Sequence, residues 1–288
     1  PPQEAAREGL YHPDHAELFP TAEAFLTWKR SRGPLNPHQP RLLITVHGAH
    51  LEFQQPKVVD AIIREAEKQG AIAVAIVDGR NALYEREAVA FMPQAVIHTC
   101  HALDPPTIRE KLNVPHLHSI FLRKQTIPQW MESVDGLSTS ELAFHVIGQE
   151  LIGAIEPQVG AGLSTTPGGS DPFEPIPERI EHLVGRALSY AKLALTPARE
   201  KKIAMIYYDR EMGKGELMRG SSTGMHMNGP RSMVAVLKKM KDHGYQIDPL
   251  PAQEEELLTW MIERGRQIGV WAPAELDRLA RRGAPALV

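Results

Sequence analysis

The sequence predicts an α/β fold built from two Rossmann-like units, each a mainly parallel sheet flanked by helices. Three observations predict it. Short, continuously apolar segments at residues 41–46, 71–77, 95–100 and 117–121 have the length and composition of strands covered on both faces. Amphipathic segments alternate with them, most clearly at residues 57–69, where Val58, Ile62, Ile63 and Ala66 fall on one helical face. A proline- and glycine-rich stretch at 160–177 then separates this pattern from a second strand, loop and helix that begin near residue 203.

Element by element, residues 1–40 read as an extension holding one short helix at 21–30 that buries Phe25, Leu26 and Trp28, followed by a proline- and glycine-rich connector. A first α/β domain spans 41–159. It opens with strand 41–46, a loop at 47–56 and helix 57–69, which Gly70 stops before strand 71–77. Strand 95–100, helix 106–112 and strand 117–121 follow, with helices at 126–133 and 138–149. Residues 160–177 are expected to form an exposed linker or hinge. The remainder, 178–288, reads as the start of a second α/β domain, with helix 177–195, strand 203–208, a long glycine-rich loop and helices at 232–243, 254–264 and 274–282.

Composition removes several function classes. With 42% hydrophobic and 23% charged residues the chain reads as globular, and a net charge of −3 gives no basic field to gather nucleic acid. No apolar run approaches the ~18 residues of a membrane span. The single cysteine, Cys100, has no internal partner for a disulfide, and no secretory leader pattern stands at the N-terminus, so a reducing cytoplasm is the expected location. A first residue that is not methionine and an end directly after a helical pattern suggest a fragment of a longer protein.

In open α/β sheets ligands bind in the loops beyond the carboxyl ends of the strands, which singles out the loops starting at His47, Asp78 and His101. His47 and His50 flank a glycine in the first of these. Either can present an imidazole to a cleft, and either can bond only the loop backbone. Cys100 and His101 end another strand, where a buried structural thiol is the commoner outcome. His116 and His118 alternate with Leu117 and share a face of their strand, and no role is assigned to them. The loop 210–230 holds five glycines, Lys214, Arg219, Ser221, Ser222 and Thr223 between a strand and a helix, a supply of cations and backbone N–H groups suited to an anion. Met212, Met218, Met225 and Met227 in the same loop suit a flat apolar ligand or simply pack the loop down.

Four collinear sets of residues resemble the large subunit of cobaltochelatase and the homologous H subunit of magnesium chelatase. The first is Tyr11-His12-Pro13-Asp14 with Phe25-Leu26-Thr27-Trp28. Gly48-Ala49-His50 is similar to the family's Arg-Ser-His segment, with the histidine kept. Leu112-Asn113-Val114-Pro115, Trp130, Gly136-Leu137-Ser138 and residues 150–157 follow the family's run that ends in Pro-Glu-Leu-Asp-Gly, where Gln149 replaces the proline and Ile152 the aspartate. The last set is Arg179-Ile180, residues 200–203, Gly213-Lys214-Gly215 and Asn228-Gly229-Pro230-Arg231-Ser232, with Glu211-Met212 in place of a double proline. Gly265-Arg266-Gln267-Ile268-Gly269, Trp271-Ala272-Pro273 and Glu275-Leu276 favour the cobalt branch over the magnesium branch.

The resemblance implies a fragment of a subunit that binds a metal-free tetrapyrrole and inserts cobalt, or alternatively magnesium, while separate AAA+ ATPase subunits spend the ATP. No Gly-x-x-x-x-Gly-Lys-Ser/Thr pattern occurs in this chain, which agrees with ATP being bound elsewhere. Insertion removes two pyrrole protons and strips water from the ion, tasks for imidazole and carboxylate. On this basis His50 and Glu150 are the expected catalytic groups, with His50 also a transient ligand of the metal ion. Lys214, Arg219, Ser221 and Ser222 are the expected contacts to carboxylates of the macrocycle. A non-catalytic ligand-binding or docking module on the same fold is the reading from another class.

Overall fold

The computed structural model describes residues 8–52, 55–78, 81–100, 106–165, 172–206 and 228–264, together with helical positions 274, 277, 278 and 281. The chain divides into two compact units, Pro1–Leu195 and Thr196–Val288.

The first unit is built on a seven-stranded sheet. Its strands are β1 (Leu10–Tyr11), β2 (Arg41–His47), β3 (Ile72–Asp78), β4 (Ala95–His98), β5 (His116–Thr126), β6 (Ala154–Leu163) and β7 (Phe173–Pro175), in the spatial order β1-β3-β2-β4-β5-β6-β7. The five inner strands are parallel, and both edge strands run antiparallel to their neighbours. Counted along the chain, the parallel strands take the order 2-1-3-4-5, the doubly wound arrangement whose switch point lies between β2 and β4.

Alternation along each strand sends residues to opposite faces, and both faces are covered. Leu42, Ile44 and Val46 of β2 join Ala73, Ala75, Ile97 and Leu117 beneath helices α3 (Lys57–Lys68) and α9 (Pro177–Leu195). Leu43, Val74, Ile76 and Val96 face the other way, toward α1 (Ala22–Ser31), α4 (Asn81–Phe91) and α5 (Pro106–Leu112). Helix α1 starts at Thr21, whose hydroxyl accepts from Ala24 N at 3.1 Å, and it buries Phe25 and Leu26 as expected. Gly70, at φ +89°, ends α3: Ala71 N donates back to Ala66 O and Gly70 N to Glu67 O, both at 2.9 Å.

Four expectations are corrected. Residues 160–177 are not a linker throughout, because 160–163 complete β6 and Phe173–Pro175 form β7 on its edge. Helix α9 belongs to the first unit: the expected stripe of Ile180, Val184, Leu188 and Ala191 is buried with Leu183 and Ala187, most of it in one core cluster with α3 and the sheet. The boundary between compact units accordingly falls after Leu195. The loop at 47–56 contains a short helix, α2 (Gly48–Glu52). Finally, residues 201–206 make no strand among the described residues, and Ile203 and Ile206 are exposed at 51% and 99%, so no sheet receives them there.

The described part of the second unit is helical. Helix α10 (Gly229–Asp242) is capped by Asn228, whose Oδ1 accepts from Arg231 N at 2.9 Å, and α11 (Glu254–Arg264) packs beside it. The glycine-rich loop from residue 207 to 227 lies outside the described residues.

The helical connection between β5 and β6 is the feature that shapes the site. After α6 (Ile127–Glu132), the chain enters α7 (Thr139–Glu141), widens into a π-helix over Leu142–Ile147 and finishes as α8 (Gly148–Leu151). Single π-turns of this kind recur at functional positions, because the extra residue rotates a side chain that α-helical spacing would place elsewhere.

Candidate functional site

Three neighbouring strands at the switch point place polar side chains in one row. Thr45 of β2, His98 of β4 and His118 of β5 are paired in register, so their side chains project from the same face toward α4 and α5. All three are fully buried. The Thr45 hydroxyl lies 2.6 Å from His98 Nδ1, and the His98 and His118 rings are 5.6 Å apart. The row continues off the sheet into the π-helix, where His145 Nδ1 lies 3.0 Å from His118 Nε2 and the two rings stack at 5.3 Å. Thr99 closes the β2–β4 pairing with a hydroxyl bond to Thr45 O at 2.5 Å, and Cys100 follows it into the interior.

Burial keeps the two histidines of β5, His116 and His118, neutral. His118 is pushed down to about 2, first by desolvation and then by His98, His145 and Arg109. His116, on the same face one step earlier in β5, is pushed down to about 3 by desolvation, with Arg109 and His98 adding to it. The alternation of His116 and His118 is visible in the sequence. What the sequence lacks is which strands lie beside β5, because only the register shows that His98 and Thr45 complete the row.

His50 takes a different place. It lies in α2 just past the carboxyl end of β2, 7% exposed, with its ring edge-on to Phe121 and to Phe173, each at 5.6 Å. Those two rings are themselves 5.6 Å apart, so His50 completes an aromatic triangle on the α3/α9 side of the sheet, the face opposite the histidine row. His47 is half-buried, and its Nδ1 accepts from Ala49 N at 3.2 Å, the backbone-bonding role open to it.

Glu150 is exposed in α8, four residues before β6 begins at Ala154. The helical connection runs back against the direction of the parallel strands, so Glu150 lies toward their amino ends while His50 lies beyond a carboxyl end. The two expected catalytic residues are therefore not brought together. Lys214, Arg219, Ser221 and Ser222 lie outside the described residues, as do the loop methionines and Trp271.

Glu141 is a carboxylate that sequence reasoning passed over. It closes a capping box with Ser138 and also accepts from Arg123 N at 3.3 Å, which anchors the start of the helical connection to β5. The Ser138-x-x-Glu141 spacing was the available signal. Its carboxyl is held below the usual range: burial opposes this, and the bonds from Ser138 and Arg123 outweigh it.

His12, Asp14 and Glu67 bring three potential metal-ligand atoms within 4.8 Å of one another. Their hydrogen bonds define the group as a structural network instead. Asp14 N donates to His12 Nδ1 at 3.1 Å, so the proton of the neutral ring is on Nε2, which donates to Glu67 at 3.0 Å and leaves no lone pair for an ion. Lys29 pairs with Glu67 and Arg64 with Asp14, supplying the positive charge already. The Tyr11-His12-Pro13-Asp14 stretch thus ties the N-terminal segment to α3, and Tyr11 completes the tie by donating to Asp60 at 2.7 Å.

A cavity of about 410 Å³ opens at the amino ends of β5 and β6, lined by Arg109, Asn113, Val114, Pro115, His116, Ile152 and Gly153. It combines a guanidinium, an imidazole and an amide, and the Asn113-Val114-Pro115 turn shapes one wall.

Comparison with known proteins places this architecture. The chloroplastic magnesium-chelatase subunit ChlH of Oryza sativa subsp. indica is 27% identical over 278 residues, covering 88% of this chain and 20% of that protein. The aerobic cobaltochelatase subunit CobN of Pseudomonas aeruginosa is 24% identical over 278 residues, covering 91% of this chain and 21% of that protein. Among solved structures, the catalytic subunit of cobaltochelatase from Mycobacterium tuberculosis shares the fold, with a TM-score of 0.65 at 21% identity over 79% of this chain and 20% of that one. The chain therefore spans about one fifth of the length of these relatives. The model of the CobN/magnesium chelatase family matches residues 1–286, nearly end to end, and the chain belongs to that family.

Proposed function

We propose that this chain is a segment of the macrocycle-binding subunit of an ATP-dependent metal chelatase, with cobalt as the ion inserted. The observation that carries the reading is the family match across residues 1–286. The reaction exchanges two pyrrole N–H protons for one divalent ion and releases both protons. ATP is spent on partner AAA+ subunits, in keeping with the lack of a phosphate-binding Gly-x-x-x-x-Gly-Lys-Ser/Thr pattern here. The sequence at residues 265–276 supports the cobalt branch. Magnesium is the second reading, favoured by the 27% identity of the rice subunit against 24% for the cobalt enzyme of Pseudomonas.

In this reading Lys214, Arg219, Ser221 and Ser222 bind rim carboxylates of the macrocycle. His50 takes up a pyrrole proton or briefly holds the ion. Glu150 acts separately from His50, at the other end of the sheet. Residues 196–288 open a further domain of the longer subunit. Among the described residues no helix is long and apolar enough to cross a membrane, and a cytoplasmic setting fits the single buried thiol.

The test is binding of metal-free macrocycles to the purified chain, followed by tryptophan fluorescence quenching. A metal-free corrin precursor should bind at least about tenfold more tightly than a metal-free porphyrin, a difference of ~1.4 kcal/mol. The reverse preference selects the magnesium reading. Equal and weak binding of both, with Lys214→Ala and Arg219→Ala unchanged, refutes macrocycle binding by this segment.

A further inference from the structure

The helical connection between β5 and β6 is built inside out. A helix lying on a sheet ordinarily turns its apolar stripe to the core and its polar residues to water. From Glu141 to Leu151 the reverse holds. Glu141, His145 and Gln149, at every fourth position, face inward and are each 5% exposed or less. They seat the segment: Glu141 accepts from Arg123 N at 3.3 Å, and His145 Nδ1 lies 3.0 Å from His118 Nε2. Leu142, Phe144, Ile147 and Leu151 point out, exposed at 43%, 61%, 51% and 83%, while Val146 alone of the large apolar residues packs in part against the core.

The widened turn aligns the outward residues. In a π-helix residues five apart succeed one another along a face, so Leu142 and Ile147 are neighbours across the π-turn. Spacing of four in α8 then brings Leu151 next to Ile147, and Phe144 stands three positions before Ile147 on the same side. Apolar residues scattered singly over a surface need no explanation, whereas a continuous stripe of four large ones marks a contact. Just upstream on the same connection, Met131 and Val134 are exposed at 72% and 103%.

The chemistry of the stripe selects its occupant. A helix lying in a membrane surface carries lysine and arginine on the face opposite its apolar stripe. Here that face is Glu141, His145 and Gln149, and it is buried. So apolar a stripe has the composition of a permanent interface, which is formed either by an obligate second copy or by another domain of the same polypeptide. Length decides between them. The chain spans about one fifth of the length of its relatives, which leaves about four fifths of such a subunit to be packed. A domain tethered in the same polypeptide reaches the stripe at an effective concentration on the order of mM, without the entropic cost of joining two molecules.

We propose that the outward stripe of Leu142, Phe144, Ile147 and Leu151 seats a further domain of the same polypeptide, one that lies outside these 288 residues and presents an apolar, uncharged surface to it. Docking takes the four side chains out of water and leaves Glu150, the exposed carboxylate beside Leu151, at the polar rim of the contact. This docking presupposes the longer subunit of the proposed function but neither macrocycle binding nor ion insertion, whose failure would leave burial of the stripe unchanged.

The test compares the complete subunit with the 288-residue chain. With photoreactive p-benzoylphenylalanine in place of Phe144, irradiation of the complete subunit should cross-link position 144 to a peptide of the same molecule outside the 288 residues. A mixture of nitrogen-14 and nitrogen-15 subunits should give no cross-link joining the two labels. In the chain alone, Phe144→Cys should react with a maleimide at a rate that is constant between about 1 μM and 100 μM protein, since Cys100 is buried. The same variant in the complete subunit should react at least about tenfold more slowly, and any smaller slowing overturns the proposal. Cross-linking to a second copy or within the 288 residues overturns it, as does labelling that slows when the chain is concentrated, or a coding sequence with nothing beyond these residues. Should the Phe144 variants fail to fold, hydrogen exchange of the unaltered proteins decides. Peptides covering residues 142–151 at least about tenfold better protected in the complete subunit support the docking, and equal protection overturns it.

Discussion

His50→Ala separates a packing role from a chemical one. The imidazole is 7% exposed and meets two phenyl rings edge-on at 5.6 Å each. Edge-to-face pairs contribute about 0.5–1.5 kcal/mol apiece beyond area burial, and truncating a buried aromatic leaves a cavity between rings that α2, β5 and β7 hold apart. The loss should total about 2–4 kcal/mol. For a unit of this size each kcal/mol lowers Tm by about 2–4 °C, so a fall of roughly 5–15 °C is expected. Urea and thermal unfolding of the purified chain, followed by circular dichroism, measure it. His50→Phe, which keeps a ring in the triangle, should restore most of the stability but none of any proton-accepting capacity. A loss below about 0.5 kcal/mol for His50→Ala would refute the packing argument, because that is the range of a surface change.

Three further outcomes follow from the geometry. His116 is held neutral in the fold at about 3, below the ordinary imidazole value, so the unfolded chain binds more protons below about pH 6.5; its contribution is intact above that pH and drains away as pH falls, by about 2 kcal/mol at pH 5, and the urea midpoint of His116→Gln should show a correspondingly shallower acid slope. Gly162→Ala should cost about 1–3 kcal/mol, because the added methyl would lie 2.9 Å from Ile127 Cγ1 and 3.1 Å from Ile127 N at the backbone start of α6; wild-type stability in urea would contradict so close an approach of α6 to β6. Glu156 is held at about 2, first by its bond from Arg186, with Tyr190 assisting, so its stabilising charge is lost only as pH falls from the ordinary carboxylate range toward 2; in Arg186→Gln the carboxyl titration followed by NMR should move up toward that range.

Strand and helix identities are legible where periodicity and punctuation agree. The α3 stripe of Val58, Ile62, Ile63 and Ala66, its stop at Gly70 and the caps at Thr21 and Thr126 all carry their signal within a few residues of chain. Helix α4 escapes a sequence reading although Tyr84, Ala88 and Phe91 stand at helical spacing, because charged residues fill the gaps and leave the segment weakly amphipathic. The hairpin of β6 and β7 reads as a linker because glycine and proline dominate its composition, and what makes it a strand pair is the approach of Gly160 and Gly162 to Ser119 and Ile127, a tertiary fact. The site is legible only in part for the same reason. His118 can be placed on a face, but its neighbours come from β4 and from a π-turn, and neither the strand order nor a change of helical pitch is written locally.

Both borders of the sheet end in very short strands, Leu10–Tyr11 on one side and Phe173–Pro175 on the other, and each runs against the direction of the five strands within. A parallel sheet that stopped at β3 or β6 would expose a long ladder of unpaired amides to any passing chain. Here a two-residue strip pairs with Ala75 and Ile76 on one border and a three-residue strip with Ala161, Gly162 and Leu163 on the other, the second finished by a proline that has no N–H to offer. Where these strips lie, a second copy of the chain finds no free ladder to join, so edge-to-edge polymerisation at those positions should be blocked.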